Sequence, residues 1–191
     1  MQLTDKQRLA ARTFPLQFIL RTEAISYFFI VPMLTFYVWS NLNFTRDQMI
    51  LFLMFAAGTF IVSFTTTQIN NLIVIAPVVR YFRNLVKGAD VSEHEYNRAH
   101  RRFLLLPFVH SFGAFFRWVG GLSFVIVPTM IFADINSVQS FNLWMCVLIN
   151  APLGTVLYFI LTELYVQKLM RLGLFPAWPR ERLNLHMNIF P

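Results

Sequence analysis

The chain has 191 residues, of which 57% are hydrophobic and 13% are charged, and its mean hydropathy is +0.55. Because a soluble domain carries about 25% charged residues, this composition excludes an ordinary soluble domain and indicates a membrane protein. The net charge is +7, and most of the Lys and Arg residues flank the apolar segments on one side of the membrane. This distribution indicates membrane topology and argues against nucleic-acid binding.

The first half of the chain, residues 1–88, predicts an interfacial segment followed by a helical hairpin. Phe14–Leu20 is too short to span a bilayer and is predicted to lie in the inner interface. Two apolar runs of about 20 residues predict spans at about 22–41 and 48–68. Pro32 lies near the middle of the first span and is predicted to kink it.

A polar linker at 89–102 is predicted between the two halves. The apolar pattern of the second span continues beyond the bilayer, so its helix is extended to about residue 86 and ends at Gly88. In the linker, Ser92 and Glu95 form a capping-box pattern, which predicts the start of the next helix.

The second half, residues 103–173, predicts the same order of elements, and a cytoplasmic tail follows at 174–191. Phe103–Phe116 is the second predicted interfacial segment. Spans are predicted at about 118–133 and 141–165, with Pro128 as the kink in the first of these two.

The two halves align without a gap at a displacement of 96 residues. Ten of the 46 positions from Arg21 to Thr66 are identical to their counterparts, where chance alone gives roughly a tenth of positions. We predict an internal duplication, with coincidence between two membrane hairpins as the alternative. The predicted fold is an all-α membrane protein with four transmembrane helices, arranged as two tandem parallel-repeat hairpins, each preceded by an interfacial segment.

The distribution of basic residues predicts the orientation of the chain in the membrane. Of the 16 Lys and Arg residues, only Arg46 lies in a turn opposite the other 15. The positive-inside rule then places both termini in the cytoplasm and gives the two hairpins the same orientation.

Two arginines are candidate ligand contacts. Arg21 and Arg117 open the first and third spans and are paired by the repeat, so we predict that they contact an anionic head group or ligand. The alternative is that both side chains are snorkelling anchors at the interface.

Small residues in the second and fourth spans are candidate helix-packing sites. Gly58 with Thr59 and Gly154 with Thr155 occupy matching places in the repeat. Because helices in lipid associate through close packing of small residues, both pairs are predicted to face other helices, within the bundle or in an oligomer.

No metal, cofactor or enzymatic activity is predicted. His94 and His100 flank Glu95 but lack further ligands at suitable spacing, and His110 and His186 each stand alone. The chain also lacks a phosphate-binding glycine loop, a nucleophile elbow and paired carboxylates.

The second half resembles a known group of membrane regions. Asn150–Leu172, followed by a tail with Pro and Arg, is similar to the fourth helix of the multi-helix regions that precede a HAMP linker in bacterial class III adenylate/guanylate cyclases and related receptors. Arg98–Val127, in which basic residues and a Leu-Pro pair precede a span, is similar to their third-helix region. The resemblance implies a six-helix input region of the bacterial inner membrane, with cytoplasmic HAMP and output domains beyond it.

This chain departs from that pattern, because it has four predicted spans and no output domain. Leu183–Pro191 is similar to the approach to a fifth helix. The chain is then a fragment, a stand-alone relative of the input module, or only a similar pair of hairpins.

The leading hypothesis is a membrane sensory or regulatory module that relays a change in helix packing, or ligand binding at lipid level, to the cytoplasm. The alternative is a non-catalytic accessory subunit that stabilises partner helices or lipids. A small transporter is disfavoured by the scarcity of charge within the spans. The expected partners are membrane lipids and either further copies of the chain or other membrane subunits, with no nucleic acid.

Overall fold

The computed structural model describes residues 3–175, apart from the side chains of residues 20–32, 34, 35, 38 and 39. Throughout this part the secondary structure is helical, without strands, so the predicted all-α class is confirmed. The four helices are α1 (Asp5–Asn41), α2 (Arg46–Lys87), α3 (Glu93–Phe132) and α4 (Ser137–Arg171). The predicted tail lies outside the described residues from position 176 onward.

The helices begin and end at residues whose chemistry suits a helix terminus. Thr45 and Asn136 are N-caps of α2 and α4 and form capping boxes there. The Ser92 side chain accepts a hydrogen bond from the Glu95 amide, so the predicted start of α3 is confirmed. Gly88 follows α2 with a φ of 70°, a left-handed conformation that glycine adopts without a steric cost, and this confirms the predicted end of that helix.

The four helices form an up-and-down bundle. Each helix packs against the next along the chain, and α4 packs against α1 to close the ring. The two hairpin turns are tied together, because Gln48 Nε2 donates to the carbonyl of Ala133 at 2.9 Å and Gln139 Nε2 donates to that of Asn43 at 2.9 Å. We call this side of the bundle the turn end.

The predicted interfacial segments and most of the predicted linker belong to long continuous helices. Residues 14–20 continue into the first predicted span within α1, and residues 93–116 continue into the third within α3. The reason is burial: Phe14, Phe18 and Phe103 are fully buried between helices. Their rings therefore leave water by packing on protein, and no flat interfacial helix is needed.

The two hairpin turns do not keep the predicted displacement of 96 residues. The N-caps Thr45 and Asn136 are 91 residues apart, so the gapless alignment would place the first turn inside α4. Pro128 lies four residues before the end of α3, whereas Pro32 lies nine before the end of α1. The second turn therefore lies five residues earlier in the chain than a displacement of 96 predicts, and the duplication stays a prediction.

Exposed apolar side chains form a belt around the bundle. Large apolar residues are exposed from Ile50 to Ile73 on α2, from Leu105 to Phe132 on α3 and from Val138 to Leu164 on α4. Each stretch is roughly 35–40 Å long at about 1.5 Å per residue, which approaches the thickness of a bilayer with its interfaces. α2, α3 and α4 are each long and apolar enough to cross a membrane, and the chain is a membrane protein.

Beyond one edge of the belt the exposed residues become basic, and we call this side the basic end. The exposed cations there include Arg80, Arg83, Arg101, Arg102, Lys168 and Arg171. The first predicted span lies within α1, and it stays a prediction because most of its side chains are outside the described set.

Two apolar cores lie at opposite ends of the bundle. The basic-end core contains Phe14, Phe18, Ile75, Val78, Phe82, Phe103, Leu106, Val166, Leu169 and Phe175. The turn-end core contains Leu42, Leu122, Ile126, Leu143, Cys146 and Val147. The stretch of the bundle between these cores holds several buried polar side chains.

We expect a topology with both ends of the described chain in the cytoplasm, because the basic end should face the inner leaflet. Reporter fusions at Asp47 and Asp134 should read external, and a fusion at Glu93 should read cytoplasmic. The opposite pattern, or an external reading at Glu93 alone, would contradict the four-span arrangement.

Candidate functional site

Arg117 lies farther inside the apolar belt than its sequence context predicts. It is 12 residues beyond Leu105, where the apolar belt begins on α3, and this places its Cα about 18 Å inside the belt. The side chain runs back along the helix, as helical side chains do. Its Nη1 lies 3.2 Å from the position of a Cβ on Gly113, so the missing side chain at Gly113 makes room for the guanidinium.

The guanidinium of Arg117 faces the bundle. Its Cζ lies 5.8 Å from the centroid of the Tyr158 ring on α4, which is a cation–π arrangement. Its Nη2 is buried and has no hydrogen-bond partner in the described part of the chain. A snorkelling arginine would extend this group into water, so the packing favours an interior role for Arg117.

His110 lies on the same face of α3, seven residues before Arg117. It is 2% exposed, and its Nδ1 is 2.7 Å from Thr162 Oγ1 on α4. Its ring packs at a centroid distance of 5.0 Å against both Phe18 and Tyr158. Its Nε2 is buried, and among the residues with described side chains no atom is hydrogen-bonded to it.

His110, Arg117, Tyr158 and Thr162 form one polar cluster between α3 and α4. The cluster lies within the apolar belt, close to the basic-end core, and Phe18 covers it from α1. It offers a fixed positive charge and two buried nitrogens. Glu163, which follows Thr162 on α4, accepts a hydrogen bond from Gln167 at 3.0 Å.

Gly154 lies where α4 crosses Trp118 of α3. A Cβ at Gly154 would lie 2.6 Å from Trp118 Nε1 and 2.8 Å from its Cδ1, which is closer than side chains pack. Gly154 is buried, as a helix-packing glycine should be. Next to it, the Thr155 hydroxyl donates a hydrogen bond to the carbonyl of Ala151 at 2.7 Å, within α4 itself.

The small-residue contact between α2 and α3 involves Thr59 and does not involve Gly58. Gly58 is exposed, and a Cβ there would have no atom within 4 Å. A Cβ at Gly121 on α3 would instead lie 3.7 Å from Ser63 Oγ and 3.9 Å from Thr59 Cγ2. Among the residues with described side chains no helix packs closely against Gly58, and its packing against another helix stays a prediction.

An aromatic socket receives the chain where it leaves α4. Gly173 adopts a φ of 70° and turns the backbone, so that Leu174 and Phe175 fold back into the basic-end core. Phe175 is 1% exposed. Its ring centroid lies within 6.3 Å of those of five partners: Tyr81, Phe82, Tyr96, His100 and Phe103.

The start of α1 completes this socket. Gln7 Nε2 donates to the carbonyl of Leu172 at 2.8 Å, so α1 satisfies one of the free carbonyls at the end of α4. The exit from the bundle thus contacts all four helices. Sequence reasoning missed this socket, because the aromatic residues that form it come from three distant segments.

Several residues that the sequence singled out belong neither to the polar cluster nor to the aromatic socket. The side chains of Arg21 and Pro32 lie outside the described residues, as does His186. In the part of the chain with described side chains, no three His, Cys, Asp or Glu residues come together as a ligand set. His110 is part of the polar cluster although it stands alone in sequence; its spacing of seven residues from Arg117 on one helical face was the available signal.

The chain was also compared with known proteins. No protein-family model, curated protein or solved structure matches it.

Proposed function

We propose that the chain is a membrane sensory or regulatory module in which a change at the polar cluster alters the packing of α4 at the basic end. One observation carries this proposal. Tyr158 and Thr162 of the cluster lie on the same helix whose end leads into the aromatic socket through Phe175. A helix transmits a shift along its axis because its backbone hydrogen bonds make it stiff.

The physical basis of the switch is the unsatisfied polarity of the cluster. Burying a polar group without a hydrogen bond costs about 1–3 kcal/mol by mutational measurements. The described contacts leave His110 Nε2 and Arg117 Nη2 in that condition. Satisfying both nitrogens gains a free energy comparable with the few kcal/mol that separate alternative helix packings. Binding at the cluster can therefore select one of two packings.

A second candidate function is an accessory membrane subunit, and the exposure of α2 favours it. None of the residues in the most apolar 18-residue window of α2 is buried inside the bundle. This leaves a long apolar face for lipid or for helices of a partner subunit. In that case the polar cluster and the socket are structural, and no movement links them.

The relay can be tested with Gly154→Ala, which forces a methyl group against Trp118 near the cluster. Spin labels at Lys6→Cys and Arg171→Cys, in a Cys146→Ser background, report the separation of α1 and α4 at the basic end. We expect Gly154→Ala to shift this distance by on the order of 1–2 Å, the size of helix shifts in switching proteins.

Two controls sharpen this experiment. Gly58→Ala adds the same methyl group in open space and should leave the distance unchanged. A label pair at Ser40→Cys and Val138→Cys reports any separation at the turn end. If Gly154→Ala leaves the basic-end distance as it is in wild type, the relay is wrong and the accessory-subunit function is favoured.

A further inference from the structure

We propose that the polar cluster binds an oxyanion, with one carboxylate or phosphate group accepting hydrogen bonds from both Arg117 Nη2 and His110 Nε2. This inference rests on the proposed function, because it names the ligand class of the same site. It differs from the contact predicted from the sequence, which paired Arg117 with Arg21 at the interface and gave His110 no part.

The side chains of His110 and Arg117 pack against one ring of α4. His110 and Arg117 are seven residues apart on α3 and so project from one face of the helix. The guanidinium runs back beside Gly113, which lies one turn from His110. Both side chains also contact the ring of Tyr158, at 5.0 Å for His110 and 5.8 Å for Arg117. In the proposed complex one group lies beside that ring and accepts from both nitrogens.

The hydrogen bond of His110 with Thr162 is compatible with either neutral tautomer of the imidazole. An acceptor oxygen at the cluster selects one of them. In that tautomer the Thr162 hydroxyl donates to Nδ1, and the ring proton is on Nε2, directed at the ligand. Thr162 is thus a positioning residue, which sets the proton of His110 without touching the ligand.

The charge of the cluster decides the ligand class. Arg117 is a cation inside the apolar belt, and a charge in such a place is costly without a counter-charge. A metal cation is repelled, and a neutral carbonyl accepts a hydrogen bond but leaves the charge uncompensated. An oxyanion supplies both the acceptor and the negative charge, and charge-assisted hydrogen bonds are the stronger kind.

Two sources can supply this oxyanion: an anionic lipid head group or a soluble phosphate or carboxylate. The full chain in nanodiscs distinguishes them. Apparent affinity is measured by tryptophan fluorescence, first on adding phosphatidylglycerol to phosphatidylcholine discs and then on adding inorganic phosphate to discs of phosphatidylcholine alone. A response to either probe that depends on the cluster supports the proposal, and the responding probe identifies the source.

We expect Arg117→Gln and His110→Phe each to weaken binding by about 10- to 100-fold, as expected for the loss of one hydrogen bond to a charged group. Arg102→Gln is the matched control, since it removes an exposed arginine outside the cluster and should leave specific binding intact. Nitrogen-15 spectra of histidine should show that the probe fixes the tautomer of His110 with the proton on Nε2.

The proposal is overturned if neither probe binds wild type, or if Arg117→Gln binds as wild type does. Should Arg117→Gln fail to fold, Arg117→Lys and the histidine spectra of wild type decide instead, because an unchanged tautomer in the presence of both probes also overturns it. The label distances in Gly154→Ala do not depend on a ligand. Failure of oxyanion binding is therefore distinguishable from failure of the relay.

Discussion

Gly154→Leu should lower the free energy of unfolding by about 1–3 kcal/mol, the usual cost of overfilling a packed interior. The cause is local, since even a Cβ at this position lies 2.6 Å from Trp118 Nε1. The leucine side chain must separate α3 from α4 or turn the indole out of its place. Thermal unfolding in detergent, with the size of the particle measured by chromatography, gives both quantities.

Gly58→Leu is the matched control for this change. The sequence assigns the two glycines equivalent places, but within the chain a Cβ at Gly58 would have no atom within 4 Å. We expect the stability of the monomer to stay within about 0.5 kcal/mol of wild type. If the chain associates through α2, Gly58→Leu should reduce particle size. Equal stability of Gly154→Leu and wild type would show that α3 and α4 do not pack closely there.

Phe175→Ala should cost about 3–5 kcal/mol of stability at the basic end, as large-to-small changes of buried phenylalanine do. The ring is 1% exposed and stacks on Phe103 at a centroid distance of 4.6 Å. Its removal should detach the chain from the socket while the membrane belt stays folded. Hydrogen exchange of the amides of residues 166–175 should then become faster, and exchange at the turn end should not change.

Phe116→Ala is a suitable control for Phe175→Ala. Phe116 has the same side chain, but it is 56% exposed on the apolar belt. Its removal should change stability by no more than about 0.5 kcal/mol. Comparable losses for the two variants, or unchanged exchange in Phe175→Ala, would mean that the socket does not hold the exit from α4.

Local sequence signals were sufficient for the helix termini and for the membrane class. Ser92 and Gly88 have chemistry that suits a helix start and a helix end, whatever the rest of the fold does. The belt also follows from composition, because an excess of apolar residues has to be placed against lipid. Sequence reasoning was reliable where one segment alone decides the outcome.

The depth of Arg117 required knowledge of which side of α3 faces the bundle. A linear reading treats a charged residue as the edge of a span, since it averages all faces of the helix. In the structure Phe112, Phe116 and Phe124 carry the apolar belt past Arg117 on the outer face of α3, while the arginine points inward. The same limit explains why Thr59 rather than Gly58 meets α3: one residue turns the helix by about 100°.

The hydrogen bond between Gln7 and Leu172 joins residues that are 165 positions apart in the chain. The ribosome makes α1 before the other three helices, so this contact can form only after all four have been made. Until then, Phe14 and Phe18 lack partners such as Tyr165, against which they pack in the finished bundle. Assembly of the basic-end core therefore waits until α4 has been made, and truncation before α4 should leave a species that is prone to aggregation and to degradation.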